Sequence, residues 1–567
     1  MGSRYFRIGV ALSVVLLVAG IAASRASAQG GEPGTFAIKG AKVIPVSGPP
    51  IENGNVVVAK GVIVAVGKDA AIPADAWVID GTGLTVYPGL FDAYTDVGIP
   101  AVAPPQGGQG GGRGQQQEIS RGPEDRPGTT PWRSAADEVS LADKRIDSWR
   151  NGGFTTVMSA PKGGLIPGQG AVLDLAGARA GDLVVKAPVA IPINLQPIGG
   201  WANFPDSLMG AIAYIHQVLL DTAWSTQADA VYDKNAKGIA RPPYDRTEAV
   251  MAQLLADHAI VLLPANNSVQ IRRALVLADQ WKLMAAIYGG QEGYETASEI
   301  AAKKMPVLVN LKWPEAEKDA DPEDVPSLRT LQFRDKAPSA PAALEKAGVK
   351  FAFYSGGLAT PKEMIKAAKK SVDAGLAPDA ALRAMTLSPA EIYNVSDRLG
   401  SIERGKIANL MITDGDLFTE KTKIKLVFVD GKRFETHEPA KPLEPPKGDV
   451  TGTWKLTYTT PEGAEESTAD LTMASDGTLS GTMSSKRGTA SIFNGTVSGD
   501  KFDFTINIPV EGNPADVNFS GTFEKNSMKG TISVAGFSID FSGTKPIGAS
   551  TLSTHRENAA ELQGGAR

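Results

Sequence analysis

The residue types that hold transition metals are scarce in this 567-residue chain. It has no cysteine and only four histidines, His216, His258, His437 and His555. Thiolate ligands, a cysteine nucleophile and disulfides are therefore excluded. The stretch TVYPGLFDAYTDVGIP, residues 85–100, brings Asp92, Tyr94 and Asp96 together instead. Carboxylates with carbonyl oxygens hold Mg²⁺ or Ca²⁺ weakly and, unlike a zinc centre, are poor generators of hydroxide at neutral pH.

Other polar groups have simpler interpretations. Asp143 and Asp147 would share one helix face, as a solvated face with ion pairs or, alternatively, as a paired-carboxylate site. Residues 167–170, PGQG, form either a plain tight turn or part of a pocket mouth. His216 lies in a helical pattern and is expected to pack there. Ser355 follows an apolar run, but the sequence shows no base for it, and no G-x-S-x-G motif occurs.

The elements that must position these residues alternate between strand and helix. Between residues 88 and 395, helical patterns separate short apolar runs, which lie at 90–97, 154–160, 189–195, 259–265, 283–289, 306–311 and 351–355. Such alternation predicts parallel strands with helical crossovers, and seven or eight units indicate a (β/α)8 barrel. The β-rich flanks, residues 29–87 and 396–436, are expected to combine into one composite β-sandwich.

A Pro-rich linker, residues 437–449, precedes a different pattern. Residues 450–546 carry a recurring Gly-Thr pair and short alternating strands, which predict an antiparallel barrel or sandwich. The tail, residues 547–567, is expected to be disordered. A glycine- and glutamine-rich insertion, residues 104–117, follows the first barrel strand and should lie over the carboxyl-terminal face of the barrel.

The amino terminus predicts export. Two arginines precede an apolar run, and the small residues Ala26-Ser27-Ala28 form a cleavage site, so residues 1–28 are interpreted as a signal peptide; an uncleaved anchor is the alternative. No later run is apolar for long enough to span a bilayer. We expect a periplasmic or extracellular protein. The net charge of −5 gives no reason to expect a nucleic-acid partner.

Two distant stretches resemble the amidohydrolase superfamily. Residues 81–83 (GTG) with 86–93 (VYPGLFDA) resemble that family's entry into its barrel. Residues 381–390 (ALRAMTLSPA), 399–406 (LGSIERGK) and 428–431 (FVDG) resemble its exit into the β-sandwich. The resemblance covers about residues 36–435 and is nearest to the imidazolonepropionase-like, exported branch.

The resemblance implies hydrolysis of non-peptide or cyclic amide bonds with zinc or another divalent metal. The family's ligands are H-x-H on strand 1, often a lysine or glutamate on strand 4, histidines on strands 5 and 6, and an aspartate on strand 8. In this chain Tyr94 and Asp96 take the H-x-H positions, no histidine follows strands 5 or 6, and strand 8 ends at Ser355. Tyr94, Asp96 and Ser355 are thus the candidate catalytic residues, and no metal ligand or other cofactor is predicted. The resemblance also implies that active relatives carry an aspartate at the position of Asp92, beside the metal pair. In this chain Asp92 has either a structural role or a place in the site.

Two functions follow from these observations. The first is a C–N hydrolase with a degenerate metal site, in which Tyr94 and Asp96 act on a small amide-like substrate. The second is a non-catalytic relative that binds a small molecule, a glycan or a catalytic partner chain. The resemblance also implies a homodimer formed through the barrel.

Overall fold

The structure is a computed structural model that describes residues 34–100, 126, 128–197, 204–316, 325–436, 444–460, 463–474, 477–485, 488–510, 513–534 and 537–545. The predicted signal peptide, the insertion at 104–117 and the tail at 547–567 lie outside these residues. The described chain falls into two compact units, residues 34–436 and residues 444–545.

The first unit begins with five short strands. Branched residues alternate or cluster in them between Gly and Asn turns, as a half-buried sheet requires. They are β1 (Thr35–Val43), β2 (Ile51–Ala59), β3 (Val62–Gly67), β4 (Trp77–Asp80) and β5 (Thr85–Pro88).

A second sheet of eight strands follows. Its strands are β6 (Leu90–Thr95), β7 (Phe154–Ser159), β8 (Gly170–Asp174), β9 (Val184–Pro192), β10 (Ile260–Ala265), β11 (Ala285–Gly289), β12 (Val307–Asn310) and β13 (Phe351–Tyr354). Each strand pairs with the next, and β13 lies beside β6, so the sheet curls into a nearly closed barrel. Their apolar runs are continuous because the strands are covered on both faces.

One strand of this barrel differs from the expectation. The seven apolar runs form seven mutually parallel strands, but β8 is antiparallel to both of its neighbours, β7 and β9. The connection from β7 to β8 has only ten residues, 160–169, which is too short for a helical crossover and suits a hairpin. The turn PGQG lies at the end of this connection, and Gly168 adopts a φ of +145° there.

Helices cover the outside of the barrel. They are α1 (Ala135–Glu138), α2 (Arg145–Asn151), α3 (Leu208–Lys234), α4 (Arg246–Ala256), α5 (Ser268–Trp281), α6 (Gly293–Ala302), α7 (Leu328–Lys336), α8 (Ala340–Lys346), α9 (Pro361–Asp373), α10 (Pro378–Ala384) and α11 (Leu387–Ile392). Side-chain caps start several of them: Ser207 accepts from Gly210 N at α3, and Thr360 forms a capping box at α9. One apolar layer fills the space between strands and helices, and a smaller one fills the barrel interior.

The chain then returns to the first sheet. Strands β14 (Leu410–Thr413), β15 (Ile424–Val429) and β16 (Lys432–Glu435) complete it in the order β16-β15-β14-β5-β1-β2-β3, with β4 beside β1. The antiparallel pair of β14 with β5 joins the parts that precede and follow the barrel. The predicted amidohydrolase-type barrel with a composite β-structure is confirmed. Among the described residues, no helix has both the length and the apolar character needed to cross a membrane.

The second unit is a closed antiparallel barrel. Its strands are β17 (Gly452–Thr460), β18 (Gly463–Met473), β19 (Thr478–Ser485), β20 (Gly488–Ser498), β21 (Lys501–Val510), β22 (Asn513–Glu524), β23 (Ser527–Val534) and β24 (Phe537–Thr544), and β24 pairs back onto β17. The all-β prediction is confirmed, with the closed barrel as the alternative adopted. Gly521 and Gly530 of the Gly-Thr repeat face each other across β22 and β23. A Cβ on Gly521 would lie 2.2 Å from the Lys529 carbonyl oxygen, so a larger residue would force the strands apart.

Candidate functional site

A cavity of about 560 Å³ opens at the carboxyl ends of β6 and β13. The three residues predicted from the sequence, Tyr94, Asp96 and Ser355, all line it. The other residues around it are Thr95, Val97, Arg145, Trp149, Lys162, Asn310, Tyr354, Gly356, Gly357, Leu358 and Ala359. This is the face of a (β/α)8 barrel where active sites are built.

Asp96 is held between two cations. Its Oδ1 atom accepts from Arg145 Nη1 at 3.0 Å and from Lys162 Nζ at 2.9 Å. The Asp96 carbonyl oxygen also accepts from Arg145 Nη2 at 2.9 Å. Arg145 is the first residue of α2, and Lys162 lies in the connection between β7 and β8. The position that a metal-ligating histidine takes in the family is therefore occupied by a charge-compensated carboxylate.

A further carboxylate fixes Arg145. Its guanidinium also donates to Asp143 Oδ1 at 3.1 Å and to Asp143 Oδ2 at 2.8 Å. Burial of Asp143 favours its neutral form, but the bonds from Arg145 and from the Gly98 N–H lower the pKa of Asp143 on balance. Asp147 instead pairs with Arg150 at 2.5 Å. Of the two interpretations of Asp143 and Asp147, the structure supports separate ion pairs and not a paired-carboxylate site.

Asp92 lies beneath the cavity, completely buried. Its Oδ1 atom accepts from the backbone N–H of Ser355 at 3.0 Å and of Tyr94 at 3.3 Å, and Oδ2 accepts from Trp149 Nε1 at 3.4 Å. Burial raises the pKa of Asp92 to about 6, although the hydrogen bonds from the Ser355 hydroxyl and from these donors oppose the shift. Ser355 thus has a carboxyl partner that the sequence did not reveal, because the two residues are 263 positions apart.

Three tyrosines fill the centre of the barrel at this level. The ring of Tyr94 lies 5.2 Å from that of Tyr288 and 5.7 Å from that of Tyr354, and the last two rings are 6.4 Å apart. Tyr288 donates its hydroxyl to the Ile193 carbonyl at 3.0 Å or to Asn194 Oδ1 at 2.8 Å. Burial raises the pKa of all three phenols, so they remain neutral. Sequence reasoning missed Tyr288 and Tyr354, although each lies near the end of a barrel strand.

These residues do not fit the divalent metal that the family implies. Within the ranges that the structure describes, no cluster of three His, Asp or Glu side chains could hold a metal ion. Asp96 is engaged by two cations, Asp92 accepts from N–H groups on both oxygens, and a neutral phenol is a poor ligand. His216 Nδ1 accepts from Trp281 Nε1 at 3.0 Å between two outer helices, as its helical pattern predicts.

The wall after Ser355 is glycine. Gly356 and Gly357 have φ values of +58° and +91°, conformations that favour glycine, and both line the cavity. A Cβ on Gly356 would lie 1.9 Å from Asn310 Oδ1, so a side chain at this position would displace Asn310. The PGQG turn does not line the cavity within the described residues; Gln169 Nε2 donates to the Pro131 carbonyl at 2.9 Å, as in a structural turn.

The fold and the position of the cavity define an amidohydrolase-type barrel, and comparisons agree with this class. Residues 244–434 match the model of the amidohydrolase family. The chain is similar to the solved structure of an amidohydrolase from Thermotoga maritima MSB8, with 25% identity and a TM-score of 0.58 over 70% of this chain and 100% of that one. No curated protein matches the chain.

Two more distant solved structures also align with the chain. One is a prolidase complexed with N-methylphosphonate-L-proline, at 19% identity and a TM-score of 0.45, covering 71% of this chain and 100% of that one. Another is an adenosine deaminase from Xanthomonas campestris with bound zinc, at 18% identity and a TM-score of 0.39, covering 70% and 92%. Within its first unit the chain is similar to the amidohydrolase family over residues 244–434, and Tyr94 and Asp96 stand where that resemblance expects two histidines.

Proposed function

We propose that the barrel cavity binds a small molecule through an amide or carboxylate group and does not hydrolyse it with a metal-activated water. The observation that carries this proposal is the bracketing of Asp96 by Arg145 and Lys162. The match of residues 244–434 to the amidohydrolase family model supports a small-molecule ligand. In this proposal the charges that face the ligand are those of side chains and not that of a metal ion.

The cavity offers a donor for the carbonyl oxygen of an amide and an acceptor for its N–H group. Lys162 pairs with Asp96 Oδ1, yet its side chain is 61% exposed, so the ammonium has donors left for a ligand carbonyl or carboxylate oxygen. Among the described residues none donates to Asp96 Oδ2, so this atom can accept from an amide N–H. The rings of Tyr94 and Tyr354 provide an apolar wall beside these groups. Such a mixture of an apolar wall and few convergent polar groups is typical of small-molecule sites.

Binding is favoured over turnover because the hydroxyl that could attack a substrate, that of Ser355, belongs to an almost fully buried side chain. Asp96 Oδ1 is already engaged by two cations and is therefore not free to take a proton from water. The phenols are neutral, and their raised pKa values keep them so at physiological pH.

Hydrolysis without a metal is the second candidate function. It is favoured by the hydrogen bond between the Ser355 hydroxyl and Asp92, whose pKa of about 6 allows it to accept a proton near neutrality. Ser355 Oγ would attack the amide carbonyl, Asp92 would pass the hydroxyl proton to the departing amine, and water would then cleave the ester. Ser355 is only 4% exposed, which limits access of a carbonyl to its hydroxyl.

The test uses the chain from Gln29 onwards and a panel of N-acyl amino acids, lactams and dipeptides. Isothermal titration measures binding, and release of free amine measures turnover, with and without prior loading with zinc or manganese. We expect binding without amine release, and at least about tenfold weaker binding for Lys162→Gln because a charged hydrogen bond is lost. Arg179→Gln is the matched control, since Arg179 is exposed and pairs with Asp182 away from the cavity.

Three outcomes would change this conclusion. Amine release that Ser355→Ala abolishes and that needs no metal would establish the second candidate. Amine release only after metal loading, or about one retained metal ion per chain, would restore the family mechanism. If the Lys162→Gln variant binds as tightly as the parent, the ligand does not bind in this cavity.

A further inference from the structure

A second cavity lies on the first unit, between α3 and α5 and beside the carboxyl end of β10. It has a volume of about 200 Å³, and it shares no lining residue with the barrel cavity. Its floor is apolar: Ile215, Leu263, Ala265 and Leu277 line it, and each of them is at most 7% exposed. We name this second cavity the helix groove.

One wall of the helix groove carries a cation without a counter-charge. Arg273 lies on α5, lines the groove and is half-buried. Its neighbour Arg272 pairs with Glu299 at 2.8 Å, whereas no residue that the structure describes accepts a hydrogen bond from Arg273. A guanidinium is always charged and has five N–H donors, so its partial burial without an acceptor costs free energy. An anion bound in the groove would remove this cost.

The opposite wall supplies a second donor, His216 on α3. Its Nδ1 atom accepts from Trp281 Nε1 at 3.0 Å, so the neutral imidazole carries its proton on Nε2. His216 also lines the helix groove, and Nε2 has no partner within the described part of the chain. None of the described residues that line the groove is Asp or Glu. The charged and donor groups of the groove therefore suit an anion and disfavour a cation.

We propose that the helix groove binds a short aliphatic monocarboxylate, with the carboxylate at Arg273 and His216 and the hydrocarbon chain on the apolar floor. A planar guanidinium binds a carboxylate through two parallel hydrogen bonds, and its single positive charge balances a monoanion. The groove is smaller than the roughly 300 Å³ at which pockets for drug-sized ligands begin, so we expect a chain of about six to eight carbons. The proposal is independent of the ligand proposed for the barrel cavity.

Fluorine NMR tests the site on the chain from Gln29 onwards, labelled with 5-fluorotryptophan. The chain has eight tryptophans; Trp281 contacts His216 beside the helix groove, and Trp149 lines the barrel cavity. Trp281→Phe and Trp149→Phe assign the two resonances by their loss. Octanoate should shift the Trp281 resonance with a dissociation constant on the order of 0.1–1 mM, as expected for about ten non-hydrogen atoms. A shift confined to Trp149 would place the carboxylate in the barrel cavity and overturn the proposal.

Two adjacent arginines provide a matched pair of variants. Arg273→Gln should weaken octanoate binding at least about tenfold, because charged hydrogen bonds are lost. Arg272→Gln, which removes the same charge one residue away and outside the groove, should leave the binding unchanged, as should Lys162→Gln. Ala274→Leu keeps the charge but fills the groove, so it should also weaken binding. Unchanged circular dichroism would show that the variants fold, and tight binding by Arg273→Gln or by Ala274→Leu would contradict the proposal.

A ligand series separates the head group from the chain. 1-Octanol has the chain without the charge, and acetate has the charge without the chain; we expect each to bind at least about tenfold more weakly than octanoate. Octylammonium should not shift the Trp281 resonance, because its charge has the same sign as that of Arg273. If octanol binds as tightly as octanoate, the groove is only apolar; if acetate does, the contact is that of an adventitious ion only. Either result would overturn the proposal.

Discussion

The molecule contains two eight-stranded barrels that both have an apolar interior but differ in the polar groups that they bury. The second unit fills its barrel with aromatic hydrocarbon: Trp454 and five phenylalanines are buried there, and Phe504 stacks on Phe519 at 4.9 Å. The first unit places phenols and carboxyl groups at the open end of its barrel, around Tyr94, Asp92 and Asp96. Hydrocarbon interiors give stability, whereas buried titratable groups are tolerated where they position other groups or contact a ligand. This difference supports the proposal that the first barrel binds a ligand.

The largest expected effect comes from opening the hydrocarbon interior. Phe519→Ala removes a fully packed ring and leaves a cavity, so we expect a loss of about 3–5 kcal/mol in the unfolding free energy of the second unit. Denaturant unfolding followed by tryptophan fluorescence measures this loss. Ligand binding to the first barrel should be unchanged. A variant in which both units lose stability equally would contradict the division into two compact units.

A pH-dependent effect comes next and belongs to the first unit alone. Asp174 is buried, and its Oδ1 atom accepts from Thr156 Oγ1 at 2.8 Å and from Asn409 Nδ2 at 2.9 Å. Burial raises the pKa of Asp174 to about 7, from an ordinary value near 4. A raised carboxyl pKa means that folding favours the neutral form, so this group lowers stability progressively as the pH rises from about 4 to about 7.

Asp174→Asn removes this penalty and keeps an oxygen for both hydrogen bonds. We expect the variant to be more stable than the parent at pH 8, by up to about 3 kcal/mol, and to match it near pH 4. Unfolding free energies measured across that pH range test the prediction. Asp540→Asn in the second unit is the control, because Asp540 lies on β24 outside the aromatic interior. A parent and variant with parallel pH profiles would show that Asp174 is ionised in the folded state.

Several features of the fold could be predicted because they depend on local pattern. The seven apolar runs identify the seven parallel strands, since buried parallel strands are continuously apolar. The strand β8, with the sequence GAVLD, was missed because so short an apolar run after a turn does not distinguish a strand from the connection around it. The Gly-Thr repeat predicts close strands in the second unit, and Gly521 opposite Gly530 shows why.

The candidate site was only half predictable. Tyr94 and Asp96 at the end of β6 and Ser355 after β13 line one cavity, as the strand positions predicted. The partners of these residues come from distant segments, and no spacing rule connects Asp92 with Ser355 or Asp96 with Arg145. Tyrosines at the ends of β11 and β13 were a usable signal, because strand ends in such a barrel meet at its mouth.

Breaking the ion pairs at the cavity should have an intermediate effect. Arg145→Gln leaves Asp143 and Asp96 without their shared guanidinium, and we expect a loss of about 2 kcal/mol in unfolding free energy at pH 7. Because the pKa of Asp143 is lowered in the folded state, this contribution is present above the ordinary carboxyl pKa and is lost in acid. The deficit of the variant should therefore shrink towards pH 3. Arg272→Gln, which breaks an exposed pair with Glu299, is the control with an expected change below about 1 kcal/mol.

The smallest expected effect separates the packing of the tyrosines from their hydroxyl groups. Tyr288→Phe keeps the ring contacts with Tyr94 and Tyr354 but removes the bonds to the Ile193 carbonyl and Asn194. We expect a loss of about 1 kcal/mol in unfolding free energy, because these acceptors are left without a donor. Tyr94→Phe, for which no hydroxyl partner exists among the described residues, should change stability by less. If Tyr288→Phe stabilises the first unit instead, the hydroxyl of Tyr288 does not contribute to stability. A role in contacting a ligand would then explain why a phenol lies there.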